Sequence, residues 1–170
     1  MIEKISRTYL EIKSLNDLKE TERPTGEYSL NLVHPADFQL NKFLYKQIGQ
    51  KYFWRDRLEW SDKIWIEYVS DVKLSTYILK DNEEIVGYFE LLFHKAKEEA
   101  EIAYFGILED YFGQKLGGYL LSQAIKEAFK LNIKRVWLHT CSLDHKNALN
   151  NYLSRGMVIF KSGMLKTKTA

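Results

Sequence analysis

The stretch Tyr104–Leu121, YFGILEDYFGQKLGGYLL, ends a strand, crosses a short loop and enters a helix through a glycine-containing turn. The apolar run up to Leu108 predicts a strand over 101–108. Beyond the loop, Gly117, Leu120, Leu121, Ala124, Ile125 and Ala128 recur at amphipathic helical spacing. A helix therefore opens within Gly113–Gly118 and runs to about Asn132. Amides at a helix N-terminus are free and the helix dipole favours negative charge there, while glycines let a phosphate approach the backbone. The turn is not a G-x-x-x-x-G-K-[ST] loop, because no Ser or Thr follows a Gly-Lys pair. It is not a G-x-G-x-x-G dinucleotide turn either, and no opening βαβ unit surrounds it. On these residues alone, Gly113, Gly117 and Gly118 equally suit close packing of a helix against a sheet.

Working outward, Arg135–Cys141 reads as a strand, Lys146–Arg155 as a short helix and Met157–Leu165 as a last strand. Upstream, Ser75–Lys80 and Glu84–His94 are strands around an Asp81–Asn82 turn, and a charged turn (Lys95 to Glu99) leads into the strand at 101–108. Further back, Tyr28–Val33 alternates as a strand closed by Pro35. Ala36–Gly49 places Leu40, Phe43, Leu44, Gln47 and Ile48 on one helical stripe. A second helix starts at Ser61, with Ser61 as cap, Asp62 at its positive end and Trp60 and Trp65 as a hydrophobic staple. Its buried face is expected to be Ile64, Trp65, Tyr68 and Val69. Thr8–Lys13 is a further candidate strand. This order predicts a mixed α/β domain over residues 1–170, with one twisted sheet covered by helices.

Composition narrows the function classes. The 170 residues carry 25 basic and 23 acidic side chains, a net charge of +2. That balance gives no electrostatic footprint for a nucleic-acid binder. One cysteine, Cys141, cannot form an internal disulfide or a multi-cysteine zinc site. The start, MIEKISRTYL, lacks a signal pattern, and no apolar run reaches membrane-spanning length. A cytoplasmic protein without a membrane partner is expected.

Two blocks of the chain together resemble the GNAT superfamily, the general-control-related N-acetyltransferases. The family's R-G-x-G-I-G-x-x-L-L segment aligns with Phe112 to Leu121. Its N-x-x-A-x-x-x-Y-x-x-x-G-F block aligns with His145, Ala148, Tyr152, Gly156 and Met157. The HTC-x-LDH wording from His139 to His145 also looks like a bacterial subgroup. The likeness covers roughly Glu84 to Phe160. Lys115 stands where the family usually has a flexible glycine, Phe112 where Arg or Gln is common, His145 for the usual Asn and Met157 for the usual Phe.

The resemblance implies a mostly antiparallel twisted sheet whose strands part at a cofactor groove, and acetyl-CoA as cosubstrate with no metal. Its pantetheine arm would lie along Phe105, Gly106, Ile107 and Leu108 as an added strand. Its diphosphate would rest on the amides of Gln114, Lys115, Leu116, Gly117 and Gly118, with His145 nearby. The implied reaction is direct attack of a primary amine, on a small molecule or a peptide, on the thioester. Tyr152 matches the family's usual acid, although Ala148, Leu149, Tyr152 and Leu153 also read as a buried stripe. Glu101, sharing a face with Ala103 and Phe105 by strand parity, is a candidate base, and Glu90 is its rival. Trp54, Arg55, Arg57 and Glu59 fall where acceptors bind, and their arginines would suit an acidic acceptor.

Other readings stay open at this level. The same fold could bind CoA without catalysis, or serve only as an interaction surface. His139, Cys141, Asp144 and His145 could form a metal cluster, or Cys141 a nucleophile beside a histidine. The exposed strand and the aromatic surplus make a homodimer an expectation.

Overall fold

Seven strands form one sheet in the order β2-β3-β4-β5-β6-β1-β7, in a computed structural model that describes residues 2–168. The strands are β1 (Ile2–Ile12), β2 (Tyr28–Leu32), β3 (Leu74–Asp81), β4 (Glu84–His94), β5 (Glu99–Ile107), β6 (Arg135–Cys141) and β7 (Val158–Lys168). The helices are α1 (Phe38–Gly49), α2 (Asp62–Val69), α3 (Leu116–Phe129) and α4 (Ala148–Ser154). Only β5 and β6 run parallel; every other neighbouring pair is antiparallel. The mixed α/β class and the mostly antiparallel sheet agree with the sequence reading.

Alternation along β4 separates two cores, since neighbouring strand residues point to opposite faces. Phe89 and Leu91 join Leu10, Ile12, Val136 and Leu138 under α3, whose Leu116, Leu120, Leu121, Ala124, Ile125 and Ala128 are all buried. On the other face, Tyr88 and Ile78 pack with Leu44 and Ile48 of α1. Truncating a fully buried leucine such as Leu120 to alanine would cost about 2–5 kcal/mol.

α2 starts at its expected Ser61 cap, and α1 at an Asp37 cap inside the stretch read as helix from Ala36. Asp37 accepts a hydrogen bond from the Leu40 amide (3.2 Å) and Ser61 accepts one from the Ile64 amide (3.3 Å). The Trp60 and Trp65 ring centroids lie 5.0 Å apart, completing the staple. Three details of burial differ from expectation. In α1 the buried stripe is Asn41, Leu44, Tyr45 and Ile48, and Phe43 is exposed. In α2 the inward residues are Trp65 and Val69, while Ile64 faces out because the short helix turns only one narrow side to the sheet. In α4 only Tyr152 is buried, and Leu149 and Leu153 are exposed.

The largest difference lies at the N-terminus. The weak strand signal at 8–13 belongs to an eleven-residue strand, β1, inserted between β6 and β7. Leu10 and Ile12 supply its buried alternation, whereas its first half carries charged side chains and little periodicity.

Candidate active site

A fork in the sheet creates the site. β5 pairs with β6 only over Glu99–Glu101 and Arg135–Trp137. At this closed end the Arg135 guanidinium donates to Glu99 of β5 (2.8 Å) and Glu11 of β1 (2.7 Å), tying three strands together. Past it, Ile102 pairs with Leu91 and Tyr104 with Glu90, so Ala103 is an extra residue in β5. Such a bulge bends and twists its strand. β5 stays with β4 while β6 stays with β1, and their facing edges part.

The fork opens into a cleft of about 710 Å³. One wall is β5 from Ile102 to Ile107, and another holds Leu138, His139 and Cys141 of β6. The lining is completed by the Tyr52–Trp54 segment and Asp56, by Lys115–Gly118 at the start of α3, and by Asn151, Tyr152 and Arg155. Unpaired backbone groups along a parted strand can accept an extended amide-bearing chain as an added strand.

The start of α3 is built to leave its amides free. Lys115 takes the N-cap position with φ 60°, and no side chain caps the helix. Among the described residues no hydrogen bond holds the Leu116, Gly117 or Gly118 amides, as expected for the first turn. Gly118 is required by packing: a Cβ there would lie 2.6 Å from Thr21 Cγ2 and 2.9 Å from Arg155 Nη1. Thr21 Oγ1 and Arg155 Nε are buried without a hydrogen-bond partner among the described residues. Free amides, Lys115 and these two orphaned polar groups fit an anionic diphosphate.

Most of the residues singled out in the sequence meet at the cleft. Phe105, Gly106, Ile107, Lys115, Leu116, Gly117, Gly118, His145 and Tyr152 all line it, whereas Leu108 and Gln114 do not. His145 sits between the rings of Phe112 (5.2 Å) and Tyr52 (6.1 Å), and its Nδ1 accepts from the Asn147 amide. Tyr152 faces Phe105 edge to face, with centroids 6.4 Å apart. Burial, with the Asp144 charge adding to it, holds its phenol well above the ordinary tyrosine range. Asp144 is itself fixed by Thr140 Oγ1 and the Cys141 amide.

Glu101 lies elsewhere. It belongs to the closed end of the fork, outside the cleft lining, where its carboxylate pairs with His94 Nε2 (3.3 Å). Burial, opposed by that His94 contact, raises its pKa. The parity argument that grouped it with Phe105 fails at the Ala103 bulge. Ile102 and Phe105 both pack toward α3, while Tyr104 packs with α1 and α2.

The tryptophan-rich segment also divides. Trp54 and Asp56 line the cleft, and Arg55 and Glu59 are exposed outside it. Arg57 is withdrawn into the core: its guanidinium donates to both Glu90 oxygens (3.0 and 3.1 Å) and to Tyr68 Oη. The rings of Tyr45, Trp60, Trp65, Tyr68 and Tyr104 surround it. Asn41 Nδ2 donates to Glu90 as well, so this carboxylate is structural. From this segment the charged side chain that lines the cleft is acidic Asp56, not Arg55 or Arg57, while Arg7 of β1 also lines it. Among the described residues no group of three or more His, Cys, Asp or Glu side chains could hold a metal ion.

Residues 40–157 match the Acetyltransferase (GNAT) family. The chain belongs to the GNAT acetyltransferase family. No curated protein matches it by sequence. Among solved structures, this GNAT chain resembles a GCN5-related N-acetyltransferase from Sphaerobacter thermophilus at TM-score 0.73 and 14% identity, covering 96% of this chain and 51% of that one. A GCN5-related N-acetyltransferase from Kribbella flavida aligns at TM-score 0.67 and 18% identity, over 97% and 58%. An aminoglycoside acetyltransferase from an uncultured soil metagenomic sample aligns at TM-score 0.62 and 14% identity, over 76% and 87%. The chain thus spans about half the length of the first of these relatives, and their likeness is one of fold.

The positions that sequence reasoning missed are Thr21, Asn151, Arg155 and Asp56. Arg155 stands directly before the motif glycine, Gly156, and a basic residue there was a visible signal. Thr21 reaches the cleft from a remote loop that no local pattern announces, whereas Asp56 lies within the Trp54–Glu59 segment already singled out, between the two arginines named there.

Proposed function

We propose that the chain is an acetyl-CoA-dependent N-acetyltransferase that passes the acetyl group to a primary amine by direct attack in a ternary complex. The observation that carries this reading is the juxtaposition, in one cleft, of a forked strand edge, an uncapped helix N-terminus and the buried phenol of Tyr152. Acetyl-CoA supplies a thioester carbon already activated toward amines.

This chain's residues then do the rest. The β5 edge over Phe105–Ile107 orients the pantetheine amides, and the amides of Leu116, Gly117 and Gly118, with Lys115 and Arg155, neutralise the diphosphate. Tyr152, kept protonated by its surroundings, hands its proton to the departing thiolate. Leu108, Gln114 and His145 flank this track. The acceptor enters beside Trp54 and Asp56, whose carboxylate favours a cationic amine on a small molecule or peptide. A cytoplasmic location accords with the single unpaired cysteine. No helix among the described residues is long and apolar enough to cross a membrane.

Isothermal titration with acetyl-CoA, followed by free-thiol release over a panel of primary amines, tests the reading. Tight binding with amine-dependent thiol release is expected. No binding at tens of micromolar overturns it, and binding without thiol release would leave a CoA-binding module.

A further inference from the structure

Resting on acetyl transfer at this cleft, the geometry points to His139 as the group that takes the proton from the acceptor ammonium. Trp137 is the last β6 residue paired with β5, so His139, two residues on, is the first side chain beyond the fork on the face away from α3. Its neighbours Leu138 and Val136 point the other way, into the α3 core. His139 lines the cleft and remains open to solvent, so it can both receive a proton and release it. Glu101, by contrast, is the last paired residue on β5 and is tied to His94 on the closed side.

The groups around the imidazole come from four segments. From β1, the Tyr9 ring packs against it at 5.5 Å and Arg7 stands opposite Cys141, one pleat along. Asp56 approaches from the loop after α1, Asp144 from the turn after β6, and Cys141 follows on its own strand. Partial desolvation by these neighbours and the Arg7 charge hold the ring below the ordinary histidine range, against Asp144 and Asp56. A ring held there is neutral at pH 7, the form that accepts a proton.

The proton count closes without another reactant. His139 accepts one proton from the ammonium and passes it to solvent. The freed nitrogen lone pair bonds to the thioester carbon and the carbon–sulfur bond breaks. Tyr152 protonates the thiolate, and the second nitrogen proton, lost as the amide forms, restores Tyr152 through cleft water. The sum is one ammonium and one thioester giving one amide, one thiol and one proton.

The test compares wild type and His139→Gln in the full chain, with phenethylamine and 1,4-diaminobutane as acceptors and thiol release read across about pH 6 to 9.5. Acetyl-CoA affinity of the variant, measured by calorimetry, should stay within about twofold and reports that it folds. kcat/KM at pH 7 should fall about 100-fold, the scale of one general base. The wild-type rate should level off above its histidine limb, whereas the variant should keep rising as free amine accumulates, recovering most of the loss by pH 9. An unchanged pH profile, or a loss equal at every pH, overturns the role of His139 while acetyl transfer stands. Failure of wild type to release thiol with either amine counts against the parent reading, and this inference falls with it.

Discussion

Phe105 on the splayed β5 and Tyr152 on α4 meet edge to face across the cleft, ring centroids 6.4 Å apart. The contact holds the phenol beside the parted edge of β5, where the proposed reading puts the thioester. The environment of Tyr152 favours its neutral form, which is the form that can give a proton away.

Replacing Tyr152 with Phe keeps the ring contact and removes only the hydroxyl. kcat should drop about 100-fold with acetyl-CoA affinity nearly unchanged. Steady-state kinetics paired with calorimetry checks this. Unchanged turnover would remove the acid from Tyr152.

Lys115 and Arg155 separate charge from backbone geometry at the turn. Lys115 occupies a left-handed conformation, φ 60°, that costs a non-glycine residue about 1–2 kcal/mol. Lys115→Gly should therefore raise thermal stability while weakening acetyl-CoA binding several-fold, more at low salt than at high. Arg155→Ala should weaken binding by about tenfold, as expected for a lost charge-assisted hydrogen bond. Thermal melts and titrations at two ionic strengths read both.

Glu90 and Arg57 form a buried ion pair whose carboxylate also serves Asn41 and Tyr68. Glu90→Ala would strand a guanidinium among aromatic rings and should cost about 3–5 kcal/mol in urea unfolding. A near-neutral change would mean that water reaches this network. By sequence alone, Arg57 falls beside the acceptor and Glu90 is a rival base. Neither assignment could be tested from spacing, because the pair is joined across thirty-three residues.

Alkaline pH offers a separate check. Burial holds the phenols of Tyr68, Tyr88, Tyr104 and Tyr152 above their ordinary range. In an unfolded chain they would ionise near pH 10. Above about pH 10 the folded protein thus binds more protons than the unfolded one, and stability falls as pH rises. Below that pH their contribution is constant. Tyrosinate absorbance should appear together with loss of near-ultraviolet dichroism; early, independent ionisation of all eleven tyrosines would contradict the packing.

By itself the sequence determined the order of elements from Tyr28 onward, the amphipathic face of α3, the cap of α2, and the two spaced blocks that converge on the cleft. These are local properties, written in periods of two and 3.6 residues and in the chemistry of caps and glycines. Only tertiary structure decided the rest. The place of β1 between β6 and β7 depends on pairing across more than a hundred residues. The Ala103 bulge shifts parity within β5, so Phe105 turns to the face opposite Glu101; Glu101 pairs with His94, and His139 lies beyond the last β5–β6 pair. Thr21 and Asp56 enter the site from loops whose position depends on the packed sheet. A one-dimensional pattern records which face a residue prefers; which distant residue shares that face is settled when strands pair.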